Sequence, residues 1–161
     1  MRLLAAGAGA VAIWLIAATQ VPNHERSPVQ AVVVGAVVSQ QFGCTNLELE
    51  PFDPICPQHR IHTGIDLAAP PGTVVHSATT GAAFIGYDPS GAGLYIEVIV
   101  DSRVRVLYCH LSAFRVRSGV PVTPGQVIGL VGATGSATGP HVHLQVNVDG
   151  RPVDPVSYLS P

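Results

Sequence analysis

The sequence contains no lysine, and only 11% of its 161 residues are charged. Its 8 basic residues are all arginine, and the formal net charge is −2. A protein that binds nucleic acid presents a basic stripe to the phosphates. The near-neutral balance therefore predicts that this chain has no nucleic-acid partner.

Amphipathic helices and repeats of fixed period are also missing after the first 20 or so residues, which disfavours a helical bundle or a solenoid. The chain is instead rich in glycine (17) and proline (14), residues that form the turns between short strands. We predict one all-β domain over residues 31–161, a single antiparallel sheet or a sandwich-like arrangement. Its strands are predicted at residues 31–38, 73–77, 81–87, 94–100, 104–111, 126–131 and 141–148, with a connector at 118–124.

The N-terminus carries Arg2 and then an uncharged apolar run to residue 19. A charged start, an apolar stretch and small residues are typical of a secretory signal; the run is slightly short of the ~20 residues that a membrane span prefers. We predict a hydrophobic helix at residues 1–20 that serves as a signal peptide or an uncleaved signal anchor. A polar linker, residues 21–30, would contain His24 as a solvated residue. Either interpretation places the domain outside the cytoplasm, with the membrane reached only through this segment if it is retained.

Cys44 and Cys56 enclose a proline-containing segment with neither a helix nor a strand period. In an exported protein two such cysteines most simply form a disulfide. A metal-binding pair is the alternative, although the spacing is far from Cys-x-x-Cys.

The stretch from His141 to Val148 alternates cleanly between two faces. His141, His143 and Gln145 would share one face of a strand, with valine and leucine on the other. Two imidazoles placed this way lie roughly 6.5 to 7 Å apart along the strand. One can therefore bind a metal while the other reaches a molecule bound to that metal.

Two upstream segments supply partners for this strand. His62 and Asp66 are four residues apart with Gly64 between them, and a remote third histidine would complete a three-ligand zinc site. Zinc in such a site lowers the pKa of its bound water from 15.7 to about 7. No His-Glu-x-x-His motif is present, so no adjacent glutamate can act as the base. His110 and His141 could instead accept the water proton and donate to the oxyanion of a tetrahedral intermediate.

The order of these segments resembles the lysostaphin/LytM-type zinc endopeptidases. The resemblance covers residues 35–159 and is carried by several separate motifs. These are His62-Thr63-Gly64-Ile65-Asp66, Gly72-Thr73-Val74-Val75, Tyr108-Cys109-His110-Leu111-Ser112, Val122-Thr123-Pro124-Gly125-Gln126, Gly132-Ala133-Thr134-Gly135, Gly139-Pro140-His141-Val142-His143 and Val153-Asp154-Pro155.

The resemblance implies that His62, Asp66 and His143 bind one zinc ion and that His110 and His141 are catalytic. It also implies a compact antiparallel β fold with the site in a groove. The expected reaction is hydrolysis of peptide bonds in the stems or cross-bridges of peptidoglycan, through a zinc-bound water, and we expect a monomer. A non-catalytic wall-binding or regulatory module of the same fold is the alternative function. A phage-associated version of the enzyme would have the same chemistry.

Some positions depart from the family pattern or have no assigned role. Gln145 stands where a glutamate is common and could alter hydrogen bonding to the metal ligands. Cys109 replaces a small residue and is expected to pack as a small hydrophobe, with a disulfide to the Cys44 loop as the alternative.

His59 is interpreted as a loop or groove residue and His76 as structural. Tyr108 is placed on the His110 face, where it would line the groove or pack.

Overall fold

The computed structural model describes residues 27–160. Within this part of the chain, short strands dominate and a five-residue helix stands at each end. In chain order the elements are α1 (Pro28–Val32), β1 (Val37–Gln40), β2 (Gly43–Cys44), β3 (Ile61–His62), β4 (Ile65–Ala68), β5 (Val74–His76), β6 (Gly81–Asp88), β7 (Gly93–Ile99), β8 (Val104–Phe114), β9 (Val120–Val122), β10 (Val127–Val131), β11 (His141–Val148), β12 (Arg151–Val153) and α2 (Pro155–Leu159).

Ten of these strands form one sheet, in which every pairing is antiparallel. Its main path runs β1-β4-β11-β8-β7-β6-β9, while β10 pairs with β5 and β8, and β12 pairs with β11. β2 and β3 form a separate two-stranded ribbon. The predicted all-β antiparallel class is therefore confirmed.

β11 lies at the centre of the sheet between β4 and β8. Its alternation matches the prediction, since Val142, Leu144 and Val146 are fully buried on one face. His141 and His143 are partly exposed on the other face. The apolar side chains fix the register of this strand, because a slip of one residue would exchange the two faces.

The first strand is predicted at the wrong place. Only the first two residues of the apolar run that begins at residue 31 belong to helix α1, and β1 starts only at Val37. Ser27 caps the helix by accepting a hydrogen bond from the Gln30 backbone N–H, and Pro28 occupies its first turn, a position that proline favours. Val32 is fully buried. A short apolar run buried in this way gives the same sequence signal as a buried strand.

Six smaller elements were also missed: β2, β3, β4, β9, β12 and α2. The predicted connector at residues 118–124 contains β9, which pairs with β6. The C-terminal tail contains β12 and α2. Each has five residues or fewer, too few for a periodic pattern to emerge.

The prediction that Tyr108 shares a face with His110 is wrong, because β8 contains a bulge. Leu94 pairs with Leu111 and Ile96 pairs with Tyr108, so β8 carries one extra residue at this point. His110 takes the left-handed backbone conformation, with φ of 62°. A bulge of this kind re-aims the side chains that follow it. Tyr108 is consequently fully buried in the core, and its hydroxyl accepts a hydrogen bond from the Ala78 backbone N–H at 2.8 Å.

Residues 1–26 lie outside the described part of the chain. The predicted signal peptide or anchor, His24 and most of the predicted linker belong to those residues. Helix α1 begins at Pro28, inside the range predicted for the linker. Between residues 27 and 160, no helix is both long enough and apolar enough to cross a bilayer.

Candidate metal centre and groove

His62, Asp66 and His143 come together from three strands, β3, β4 and β11. His62 Nε2 lies 3.1 Å and His143 Nδ1 lies 2.9 Å from Asp66 Oδ1. The two histidine nitrogens are 3.0 Å apart. Direct pairing of His143 with Asp66 across β11 and β4 sets part of this geometry. The three predicted ligands therefore converge on one point.

His62 and His143 face this point with different ring nitrogens, Nε2 of His62 and Nδ1 of His143. His62 Nδ1 lies 2.8 Å from the Gln41 carbonyl oxygen. Because a carbonyl can only accept, His62 carries its proton on Nδ1 and keeps Nε2 free for a ligand. The Gln41 carbonyl is a main-chain group, and no side-chain pattern in the sequence points to it.

Gly64 is required by the close approach of β11. A Cβ atom at this position would lie 2.4 Å from the Leu144 carbonyl oxygen and 2.8 Å from His143 Nε2. Any side chain would therefore displace the His143 ring. This contact explains why a glycine stands between the histidine and the aspartate of the first motif.

The donor chemistry of this group fits zinc. Two imidazole nitrogens and one carboxylate oxygen, about 3 Å apart, can all reach one ion at the ~2.0–2.2 Å bond lengths that zinc makes. Burial alone would raise the pKa of Asp66, but the close approach of the His143 and His62 rings outweighs it and holds the pKa well below its usual range. The aspartate is therefore ionised, and three ligands of this kind leave a fourth position for a water or a substrate.

His110 and His141 lie beside this group, with their ring centroids 4.7 Å apart. His110 Nδ1 donates to the Thr134 carbonyl at 2.8 Å, and His141 Nδ1 donates to the Gly139 carbonyl at 2.8 Å. Both rings therefore hold a proton on Nδ1, which leaves Nε2 as the nitrogen available for proton transfer. His141 Nε2 lies 3.7 Å from Asp66 Oδ2.

The pKa of His110 lies below its ordinary value. Burial is the largest cause, and the nearby imidazoles of His141 and His143 lower the pKa further. The hydrogen bond to the Thr134 carbonyl acts in the opposite direction. His110 is thus neutral near pH 7 and able to accept a proton.

All five of these residues line one groove of about 330 Å³. One wall belongs to the segment between the two paired cysteines and contributes Leu47, Leu49 and Glu50. Other residues of the lining are small: Ser90, Gly91, Ala92, Ser136 and Thr138.

The segment that forms the first wall is closed by a disulfide between Cys44 and Cys56, as predicted. Asp53 stabilises its turn by accepting hydrogen bonds from the backbone N–H groups of Ile55 and Cys56. Arg60 donates to the Glu50 carbonyl at 3.0 Å. The segment is therefore held by contacts within itself and by the hydrogen bond from Arg60, the residue before the strand that carries His62.

Cys109 is a free thiol that is buried against the groove. Burial raises its pKa to about 12. It packs as a small hydrophobe, as expected, and the alternative of a disulfide to the Cys44 loop does not occur because Cys44 pairs with Cys56.

His59 and His76, the remaining histidines of residues 27–160, do not belong to the metal group. His59 is exposed and stacks on Phe52 with ring centroids 5.7 Å apart. His76 lies in β5, and its buried Nδ1 finds no hydrogen-bond partner among the described residues. Neither position contradicts the loop and structural roles predicted for them.

The sheet, the groove and the His-Asp-His group together define the class of the domain. A family model described as Peptidase family M23 matches residues 60–155. The chain therefore belongs to peptidase family M23.

Known proteins agree with this assignment. The chain is 36% identical over 110 residues to the peptidoglycan DD-endopeptidase ShyA of Vibrio cholerae, an alignment that covers 68% of the chain and 26% of ShyA. It thus spans about a quarter of the length of the curated relatives it matches.

Two solved structures share the fold. A zinc-containing peptidase from Vibrio cholerae superposes with a TM-score of 0.62 and 34% identity, covering 74% of this chain and 35% of that one. The catalytic domain of lysostaphin from Staphylococcus simulans gives a TM-score of 0.64 and 29% identity, covering 77% of this chain and 92% of that one. The lysostaphin-type resemblance predicted from the motifs is confirmed.

Proposed function

We propose that this chain is a zinc endopeptidase that hydrolyses peptide bonds in the stems or cross-bridges of peptidoglycan. One observation carries the proposal: His62, Asp66 and His143 converge on one side of a groove whose neighbouring wall carries two further histidines. The named activity of ShyA and the zinc of the Vibrio cholerae peptidase support the substrate and the metal.

Zinc held by these three side chains would supply Lewis-acid activation of a water molecule and of the scissile carbonyl. A dicationic metal with one carboxylate and two neutral imidazoles carries a net charge of +1, which suits the stabilisation of a developing oxyanion. The remaining chemistry falls to the two other histidines.

His110 is assigned as the general base. Its buried ring is neutral and directs its Nδ1 proton to the Thr134 carbonyl, so Nε2 can take the proton of the attacking water. His141 is assigned as the oxyanion donor. Its Nδ1 is held by the Gly139 carbonyl and its Nε2 lies 3.7 Å from Asp66 Oδ2, so Nε2 is the nitrogen placed beside the metal group to donate to the oxyanion.

The same proposal includes the cellular context. Peptidoglycan is extracytoplasmic, and the apolar leader at residues 1–20 together with the disulfide favours export. The domain is proposed to act as a monomer, with membrane contact only through the leader if it is retained.

The proposal is tested by incubating the purified chain, with zinc added, with purified cell walls and with defined muropeptides. Released peptides are identified by mass. New termini within the peptides, absent in the Asp66→Ala variant, are expected. A chain that binds zinc and walls without cleaving any peptide would instead support the alternative, a non-catalytic wall-binding or regulatory module.

A further inference from the structure

Gln145 lies two residues after His143 on the same face of β11 and joins it in a chain of polar contacts. Its Oε1 accepts a hydrogen bond from the Thr63 hydroxyl at 2.6 Å and lies 3.3 Å from His143 Nε2. Its Nε2 donates to Asn147 Oδ1 at 2.8 Å. All three contacts are made by side chains, and Thr63 lies in the segment between the other two ligands, His62 and Asp66.

The orientation of the Gln145 amide follows from the chemistry of its neighbours. His143 Nδ1 faces His62 and Asp66, so it must keep its lone pair if it is to bind a metal, and the ring proton must then sit on Nε2. A proton on Nε2 needs an acceptor, and Gln145 Oε1 is the acceptor nearby. The reverse orientation of the amide would set two donors against each other.

Asn147 accommodates the same orientation. Its Oδ1 accepts from the amide nitrogen of Gln145, which leaves the amide oxygen to face Thr63 and His143. The amide is therefore held at both ends, and its oxygen is fixed toward the metal ligand.

We propose that Gln145 is a positioning residue that keeps His143 protonated on Nε2 and so presents Nδ1 to the metal. His62 receives the equivalent support from the Gln41 carbonyl. Outer hydrogen bonds of this kind fix the tautomer and the ring orientation of metal-binding histidines. The inference rests on the zinc site of the proposed function and adds a residue to it.

The choice of an amide over a carboxylate has an electrostatic consequence. A carboxylate at position 145 would accept the same proton, and Asn147 could turn its own amide to donate to the second oxygen. It would also bring a negative charge next to the ligands, which raises the basicity of the imidazole. Glutamate is therefore expected to preserve or strengthen metal binding, whereas an apolar side chain of similar size removes the acceptor altogether.

The test measures zinc affinity of the full chain by competition with a chromophoric chelator. The variants are Gln145→Leu, Gln145→Glu and Thr63→Val, with Gln58→Leu, an exposed glutamine outside the groove, as the matched control. Gln145→Leu is expected to weaken zinc binding about ten- to a hundred-fold. Thr63→Val is expected to weaken it less, while Gln145→Glu and Gln58→Leu bind at least as tightly as the natural chain.

A spectroscopic readout separates positioning from general loss of structure. In nitrogen-15 spectra of the zinc-loaded natural chain, the proton on His143 Nε2 is expected to exchange slowly with water. It should exchange faster in Gln145→Leu, while the thermal unfolding temperatures of the zinc-free proteins agree.

Two failures are distinguishable. If the natural chain binds no zinc, the proposed function and this inference both fall. If the natural chain binds zinc and Gln145→Leu binds it within two-fold as tightly, with unchanged exchange at His143, then only the role of Gln145 is overturned. Binding of the metal through His143 Nε2 would overturn it as well.

Discussion

Gly64 lies directly against the imidazole of His143, so close that a Cβ atom on the glycine would come within 2.8 Å of the ring nitrogen Nε2. The same atom would lie 2.4 Å from the Leu144 carbonyl oxygen, which belongs to the central strand and cannot move aside freely. The motif that supplies two metal ligands thus also makes room for the third.

Replacement of Gly64 by alanine should therefore damage both the fold and the metal site. Overpacking of this kind typically costs about 1–3 kcal/mol of unfolding free energy, and the displaced His143 ring should weaken zinc binding. Urea denaturation and zinc competition measure the two effects. Gly139→Ala is the matched control, because a Cβ atom there meets nothing within 4 Å. Equal behaviour of the two variants would contradict the close contact.

The two histidines of the His-x-His pair should separate metal binding from turnover. His143→Ala removes a ligand and should lose zinc, whereas His141→Ala should keep zinc and lose most peptide cleavage. Loss of a positioned acid or base commonly costs about 10²–10⁴-fold in rate. Metal analysis after dialysis and cleavage of muropeptides give the two readouts. Equal zinc loss in both variants would show that the roles are assigned wrongly.

The disulfide should support the metal site as well as the groove wall. Cys44 pairs with Ile61 in the β2–β3 ribbon, and the next pair joins Gly43 to His62. The Cys44→Ser/Cys56→Ser variant should lose about 3 kcal/mol of stability on the chain-entropy account, and it should bind zinc more weakly because the ribbon that carries His62 loosens. Denaturant unfolding without reductant, together with zinc competition, tests both. Unchanged zinc affinity would show that the ribbon positions His62 without help from the disulfide.

Cys109 should be an unreactive thiol. Its pKa is raised from 9.0 to about 12 by burial, and the thiolate is the reactive form. This group's contribution to stability is full below pH 9.0 and is lost as the pH rises toward 12, because the unfolded thiol ionises first. Alkylation of the folded, zinc-free protein between pH 7 and 9 should be far slower than alkylation after unfolding. Rapid modification of the folded protein at pH 8 would contradict the burial.

The sequence predicts the parts of this molecule that have a clear period or motif. The two faces of β11 could be predicted because its valines and leucine alternate with its histidines, which places the histidines on one face. Helix α1 was missed because its five residues carry too little helical pattern, so its first three residues were assigned to the linker and its last two to a strand. The five predicted site residues are found together in one groove.

Backbone features account for what could not be predicted. His110 faces the groove because a bulge with a left-handed backbone precedes the end of β8, and simple alternation would have grouped it with the buried Tyr108. The carbonyl groups of Gln41 and Thr134 hold the tautomers of two histidines. Such main-chain acceptors have no signature in a side-chain pattern, since every residue carries one.

The central claim is that one zinc ion sits between residues from β3, β4 and β11. A crystal structure of the full chain grown with zinc, with anomalous differences collected on both sides of the zinc absorption edge, tests it most directly. We expect one strong peak bonded to His62 Nε2, an Asp66 carboxylate oxygen and His143 Nδ1, with His110 and His141 near it but not bonded. A peak ligated by His110 or His141, or no peak at this position, would contradict it.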